Sequence, residues 1–257
     1  MSSPYCWTIN SVGEVWTLNP GGGGQLMSPA GEDFAMSDIA MGPDGTAWAI
    51  STMAQKGGAL IIGSDPGHYG TWHKIPPPAA ADRLSVGPDG TIWTVNVFGE
   101  VWALNPGGGG YIASPPGVDF ALDIGAGADG SVWIASTDTY TDGNVLKRWN
   151  PNNNSWTALP EPASATRVAI NPKGILFTVN SKGEVWLIYP QGGGALLSPP
   201  GPPFAQDISV GADGSVWIIS NQGRPGGDAV MLWSGANQIW NAVPKPAAAV
   251  AVAGAVK

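Results

Sequence analysis

Three tryptophans, Trp72, Trp156 and Trp240, stand 84 residues apart, and each opens the same kind of phrase: Trp72-His-Lys-Ile-Pro-Pro-Pro, Trp156-Thr-Ala-Leu-Pro-Glu-Pro and Trp240-Asn-Ala-Val-Pro-Lys-Pro. A second series, Gly-Glu-Val-Trp, ends at Trp16, Trp102 and Trp186, and a third, Asp-Gly-(Thr/Ser)-x-Trp, at Trp48, Trp133 and Trp217. A fixed period over a whole chain means one supersecondary unit copied and stacked. The period also halves. Arg83-Leu-Ser-Val-Gly-Pro-Asp-Gly-Thr-Ile-Trp93 aligns with Asp123-Ile-Gly-Ala-Gly-Ala-Asp-Gly-Ser-Val-Trp133, so the unit is a module of about 42 residues, the size of a propeller blade. Two kinds alternate. Even modules run from Asp38, Asp123 and Asp207; odd modules run from Arg83 and Arg167, with the third odd module split between the chain ends.

Each module holds four short strands. In the module from Arg83, Leu84-Ser-Val-Gly alternates apolar and polar residues, which suits a strand. Pro88-Asp-Gly90 makes the turn, and Thr91 to Asn96 is a second strand rich in β-branched and aromatic residues. Glu100 to Asn105 is the third strand, and Tyr111 to Ser114 the fourth. Even modules read likewise: Asp123 to Ala126, Ser131 to Ser136, Val145 to Trp149, Trp156 to Leu159. Five complete blades start near Ser37, Ala81, Leu122, Thr166 and Gln206. The N-terminal piece from Cys6 to Asn19 matches strands two and three of an odd blade but lacks strand one. The tail Ala249-Val-Ala-Val-Ala-Gly-Ala-Val256 stands where a first strand belongs. The expected fold is therefore all-β: a six-bladed β-propeller of four-stranded antiparallel blades in a single domain, its ring closed by the C-terminal strand on the N-terminal blade. Closure protects strand edges that would otherwise template aggregation. The competing reading of the tail is an apolar interaction peptide.

Composition fits short strands and many turns: 38 Gly, 24 Pro, 13 Trp and only 12% charged residues in 257. The formal net charge is −8 and the few Lys and Arg are scattered. No basic stripe exists to bind nucleic acid by counterion release. No apolar run approaches the ~18 residues of a bilayer span, so membrane insertion is not expected. The N-terminus lacks the charged and apolar regions of a secretory signal; cytoplasmic synthesis follows, with release by a non-classical route left open. Cys6, the one cysteine, reads as a buried small hydrophobe.

Catalytic chemistry finds little to use. His68 and His73 form a weak metal spacing in one module only. Asp44, Asp89, Asp129 and Asp213 are each a lone Asp in an Asp-Gly turn, short of the donors a calcium loop needs. The Gly21–Gly24, Gly107–Gly110 and Gly192–Gly194 runs lack the Lys-Ser/Thr of a nucleotide loop and read as turns whose bare N–H groups are open to a ligand. No cofactor motif occurs.

Recurrence sorts the binding candidates. Trp7, Trp48, Trp93, Trp133 and Trp217, with Phe177 in the sixth place, recur in every module and suit packing between blades. Trp16, Trp102 and Trp186 occur in odd modules only, and Trp72, Trp156 and Trp240 in even modules only, which makes both sets candidates for a ligand surface. Polar residues share the threefold period: Asn10, Asn96 and Asn180; Glu14, Glu100 and Glu184; Asp38, Asp123 and Asp207. Carboxylates and amides beside an aromatic face suit sugar recognition, where hydroxyls need fixed partners and the C–H face packs on a ring. The same Asn and Glu also suit bracing the turns at Gly13, Gly99 and Gly183.

The phrase Gly-x-Asp-Gly-x-x-Trp followed by x-Asn-x-x-Gly-Glu-Val-Trp, complete from Gly87 to Trp102 and partial from Asn171 to Trp186, resembles the tectonin repeat across essentially the whole chain. The chain is similar above all to the fungal tectonins, propeller lectins of innate defence that recognise O-methylated glycans on bacteria and nematodes. That resemblance implies a multivalent sugar binder with an apolar notch for the methyl group and methylated mannose or fucose as ligands. Association of rings into a homo-oligomer is compatible with it. The even modules lack Gly-Glu-Val-Trp, which favours about three equivalent sites over six. The alternative is a non-catalytic protein-interaction propeller, favoured by the divergence of the even modules at Gly57-Gly-Ala-Leu, Asn144-Val-Leu-Lys and Ala229-Val-Met-Leu. An enzyme, as in antibiotic-lyase propellers with similar Gly-Pro-Asp-Gly turns, would want a histidine and acidic metal cluster near the axis.

Overall fold

The computed structural model describes residues 5–30, 33–65, 70–76, 79–245 and 247–255. Six four-stranded antiparallel blades form a ring, as the repeat requires. We number them around the ring. Blade 1 is the split odd module, blades 3 and 5 begin at Arg83–Val86 and Arg167–Ile170, and blades 2, 4 and 6 begin at Ala35–Met41, Ala121–Ala126 and Ala205–Val210. Each first strand lines the central axis, and the chain then steps outward strand by strand.

The ring closes as the position of the tail in the repeat implied. Ala251–Gly254 pairs antiparallel with Cys6–Ile9, in the register Cys6↔Gly254 to Ile9↔Ala251. The C-terminal segment is thus strand one of blade 1, which completes the four strands of that blade.

Odd and even blades differ in their middle strands. In odd blades these are four residues each, as in Ile92–Val95 and Val101–Leu104. In even blades they run longer than the sequence suggests: Val132–Tyr140 and Gly143–Asn150 form one hairpin in blade 4. The polar stretch Thr137 to Asp142 reads as loop in the sequence. Thr137 to Tyr140 is strand and Thr141-Asp142 the turn, closed by Gly143 at φ 146°. The third strand of each even blade also takes a two-residue strand from the incoming chain: Ala80–Ala81, Ser164–Ala165 and Ala248–Ala249.

Six apolar clusters fill the seams between blades. The second-strand aromatic of each blade is buried in one of them, from Trp7 with Ile39 and Ala49 of blade 2 to Trp217 with Cys6 and Val252 of blade 1. This is the packing role expected for the set that recurs in every blade. Burial pushes the Cys6 thiol well above its ordinary pKa, consistent with an inert core cysteine.

Candidate functional site

The seams are of two kinds, and the recurring residues fall into three places. The first is the odd-blade turn. Asn96 accepts hydrogen bonds at Oδ1 from Phe98 N (2.9 Å) and Glu100 N (3.0 Å), and its Nδ2 donates to Glu100 Oε2 at 2.8 Å. Asn10 with Glu14 and Asn180 with Glu184 repeat the arrangement. The brace shapes a turn that needs glycine. Gly99 sits at φ 72°, and an added Cβ would lie 2.9 Å from both Asp119 Cα and Phe120 N. The Gly99 carbonyl accepts from Phe120 N and Ala121 N of the next blade.

The Glu of this brace reaches further. Glu14, Glu100 and Glu184 each accept the indole N–H of the tryptophan two residues on: Trp16 at 3.1 Å, Trp102 at 3.4 Å and Trp186 at 3.2 Å. Glu100 Oε1 also accepts Gly117 N at 3.0 Å. Hydrogen bonds from Asn96 first, then Gly117 and Trp102, hold its carboxyl below the usual pKa. The recurring Asn, Glu and odd-blade Trp are therefore one unit. It fixes a half-buried indole against the preceding even blade, where Trp186 packs with Leu159 and Trp133.

At the seam of blades 4 and 5 this unit opens onto a cleft of about 350 Å³. Leu159, Pro160 and Ile188 give it an apolar wall, and Trp186 and Asn180 line it together with the backbone of Gly192–Gly194. Asp142 and Glu161 supply carboxylates at its edge. Aromatic face, apolar wall, amide, carboxylate and bare peptide groups thus converge in one place.

The second place is the opposite seam, from odd to even blade. Trp72, Trp156 and Trp240 donate their indole N–H across it to backbone carbonyls of the preceding blade: Met27 (2.9 Å), Ala113 (2.8 Å) and Leu197 (3.1 Å). Each packs near an equivalent Phe of the connecting segment, Phe34, Phe120 or Phe204. At the seam of blades 3 and 4 the result is a broad cleft of about 760 Å³ lined by Trp149, Trp156, Tyr111 and Lys147.

The third place is the axis, and here the structure separates Asp38, Asp123 and Asp207 from the aromatic clefts. Each carboxylate accepts a backbone N–H from the first strand of the next blade: Asp38 from Leu84 at 2.9 Å, Asp123 from Val168 at 2.7 Å, Asp207 from Val252 at 3.1 Å. They line a narrow axial cavity of about 70 Å³. Arg83 lies 3.9 Å from Asp123, and Arg167 lies 3.9 Å from Asp207. The third position of that series is Ala251, so three carboxylates face two guanidinium groups. Burial, countered in part by Arg83 and increased by Asp207 and Asp123, pushes the Asp38 carboxyl up to about 8. Asp123, flanked by Arg167 and Arg83, is raised by burial only to about 6. Burial also raises Asp207.

Among the described residues no group of three His, Cys, Asp or Glu side chains is placed to hold a metal. His73 pairs with Asp65 at 3.2 Å and lies edge-on to Trp48; His68 lies outside the described residues. The Asp-Gly turns are self-contained, with Asp89 accepting from Thr91 N and Thr91 Oγ1. Two cleft residues that sequence reasoning missed, Lys147 and Tyr111, have no threefold counterpart and so lacked the signal of recurrence. No helix long and apolar enough to cross a membrane is present among the described residues.

Comparison with known proteins agrees with this architecture. The Tectonin domain pattern matches residues 35–225. No curated protein matches the chain. Among solved structures, virginiamycin B lyase from Staphylococcus aureus is similar at 19% identity, with 95% of this chain and 85% of that one covered and a TM-score of 0.58. TolB from Acinetobacter baumannii is 16% identical, with 99% and 66% covered and a TM-score of 0.75. YCF48, bound to a D1 peptide, is 15% identical, with 94% and 79% covered and a TM-score of 0.57. At these identities the likeness is one of fold alone.

Proposed function

Because the chain belongs to the tectonin family, we propose that it is a multivalent carbohydrate-binding protein whose sites lie in the clefts between blades. The observation that carries this reading is the cleft of blades 4 and 5. There a glutamate-fixed Trp186 and a turn-bracing Asn180 face an apolar wall and the open backbone of Gly192–Gly194. A pyranose offers an apolar C–H face and a rim of hydroxyls, and this cleft offers a counterpart to each. The wall of Leu159, Pro160 and Ile188 also suits an added O-methyl group, the ligand feature implied by the resemblance to fungal tectonins. Methylated mannose or fucose on bacterial or nematode surfaces is accordingly the proposed target, in a role of defence. The threefold recurrence of the Asn–Glu–Trp unit makes the protein multivalent. Several weak sites on one rigid ring raise avidity by about 10²–10⁴ when geometry permits.

A glycan array that includes O-methylated mannose and fucose beside their unmethylated parents tests the reading. Trp186→Ala is expected to lower binding by several-fold through reduced valency, with the ring intact by circular dichroism. Absence of binding to every glycan by folded protein would overturn it in favour of a protein-interaction platform without catalytic activity. One observation favours that second reading: exposed Val97 and Phe98 stand at a blade 3 turn whose blade 5 counterpart is Ser181-Lys182.

A further inference from the structure

The three odd-to-even seams share one backbone plan but not one lining. In each, an indole N–H crosses to a carbonyl of the preceding blade. Around it the side chains diverge. The place of Lys147 in blade 4 is taken by Ile62 in blade 2 and Met231 in blade 6, as strand pairing shows. Tyr111 is replaced by Gln25 and Ala195, and Ser155 by Thr71 and Ile239. At these three positions, among the described residues, only the seam of blades 3 and 4 combines an aromatic side chain, a hydroxyl and a cation.

The cation is unusual in its setting. The chain has a net charge of −8 and only 11 Lys and Arg residues, yet the Lys147 side chain lies on the wall of a large aromatic cleft and is only 14% exposed. It lies 4.5 Å over the Phe120 ring, a contact that holds a partly desolvated cation in place. Its charged partner is Asp138 at 2.5 Å, whose own side chain is 64% exposed. An ion pair with so solvated a carboxylate is weakly held. An ammonium has three donors, and the exposed Asp138 can yield to a better-placed anion at little cost.

We propose that the cleft between blades 3 and 4 is a binding site for an acidic saccharide. The sugar ring packs on Trp156 and Tyr111, with Trp149 behind, and the sugar carboxylate pairs with Lys147. Asn154 and Ser155 stand at the same cleft for the ring hydroxyls. This rests on the carbohydrate reading above and adds to it a charge selectivity confined to one seam. The ring is then threefold in plan and single in this specificity.

The test follows tryptophan indole N–H resonances by NMR while methyl glucuronide, methyl galacturonide and a methyl sialoside are titrated, the two uronides each against its neutral parent glycoside. The proposal expects a carboxylated probe to shift Trp156 and Trp149 and to bind roughly tenfold more tightly than its neutral counterpart, the worth of one charge-assisted hydrogen bond. Lys147→Met, which installs the residue blade 6 carries at this place, should abolish that preference. Asp138→Asn should strengthen it by removing the competing carboxylate. A preference unchanged in Lys147→Met, or acidic probes that leave Trp156 and Trp149 unmoved, would overturn the proposal. If methylated neutral glycosides meanwhile shift Trp186, the general lectin reading survives that failure. If no saccharide shifts any indole, both readings fall.

Discussion

The two kinds of seam hold the ring in different ways. From even to odd blade the ties are side chain to backbone at the axis, where Asp38, Asp123 and Asp207 clasp the next strand. Backbone ties join them where the long hairpins reach over: Gly57 O to Val97 N, Asp142 O to Ser181 N, Gly226 O to Ser11 N. From odd to even blade the ties are a glycine carbonyl accepting two N–H groups and an indole donating across the gap. In both kinds the main side-chain ties, the Asp clasps and the crossing indoles, recur three times unchanged, while lesser ties such as Ser85 Oγ accepting Ala126 N occur once. Residues that only line a cleft, such as Lys147, Met231 and Ile62, drift. The threefold repeat is therefore strict at the Asp clasps and the crossing indoles and loose along the cleft walls, where the proposed ligand would bind. The even-to-odd seams concentrate their dependence on one side chain each.

The largest effect should come from that concentration. Asp123→Ala removes the acceptor of the buried Val168 N–H and leaves Arg83 and Arg167 without the carboxylate between them. A loss of about 3 kcal/mol is expected, read as a lowered urea midpoint with unchanged slope. The indole N–H that crosses each odd-to-even seam is a neutral bond and should cost less to remove. An Asp123→Ala midpoint close to that of the unaltered protein would remove the distinction between the seams.

The axis also predicts a dependence on pH of unusual sign. The folded chain keeps the Asp38 proton up to about pH 8 and the Asp123 proton up to about pH 6, whereas unfolded carboxyls release theirs near pH 4. Folding therefore takes up protons in this window, and stability falls as pH rises, by at most about 1.4 kcal/mol per pH unit for each group. The missing third arginine, with Ala251 in its place, makes Asp38 the larger contributor. Thermal unfolding at pH 5 and pH 9 should show the higher midpoint at pH 5. Asp38→Asn should raise the midpoint at pH 9 and flatten the difference. A midpoint that rises with pH would show Asp38 to be ionised in the folded ring.

Much of this was legible in the sequence because repetition reports geometry. The tail Ala251–Gly254 could be placed as a first strand because five other modules show what belongs there, and the second-strand aromatics had to pack because every blade has one. The axial role of Asp38, Asp123 and Asp207 was not legible. Strand alternation gives the parity of a side chain, and in each even blade a register shift falls at or just before the Asp, between Ala121 and Asp123 in blade 4 and between Ala35 and Ile39 in blade 2. Such a bulge re-aims the side chain that follows it. The gap at Ala251 did carry a signal, since aligning the tail with Arg83 and Arg167 exposes it. Lys147 was invisible for the opposite reason. Recurrence was the filter, and a single-copy feature does not pass it.

The smallest predicted effect separates the two tryptophan sets. Trp156 gives its N–H to Ala113 O of the preceding blade, a bond that spans the seam. Trp102 gives its N–H at 3.4 Å to Glu100 two residues away, and that carboxylate keeps Asn96 and Gly117 as donors when the indole is lost. Replacing either by Phe keeps an aromatic ring and removes the N–H. Both variants lose similar ring area, so the difference between them isolates the hydrogen bond. Trp156→Phe should cost more than Trp102→Phe by about 1 kcal/mol, measurable as a difference in urea midpoint. At the even-to-odd cleft proposed to bind glycan, Trp186→Phe should weaken glycan binding more than it weakens the fold. Equal stability costs for the two sets would mean that the odd-blade indoles also tie blade to blade, and that the two sets do not differ in how they hold the ring.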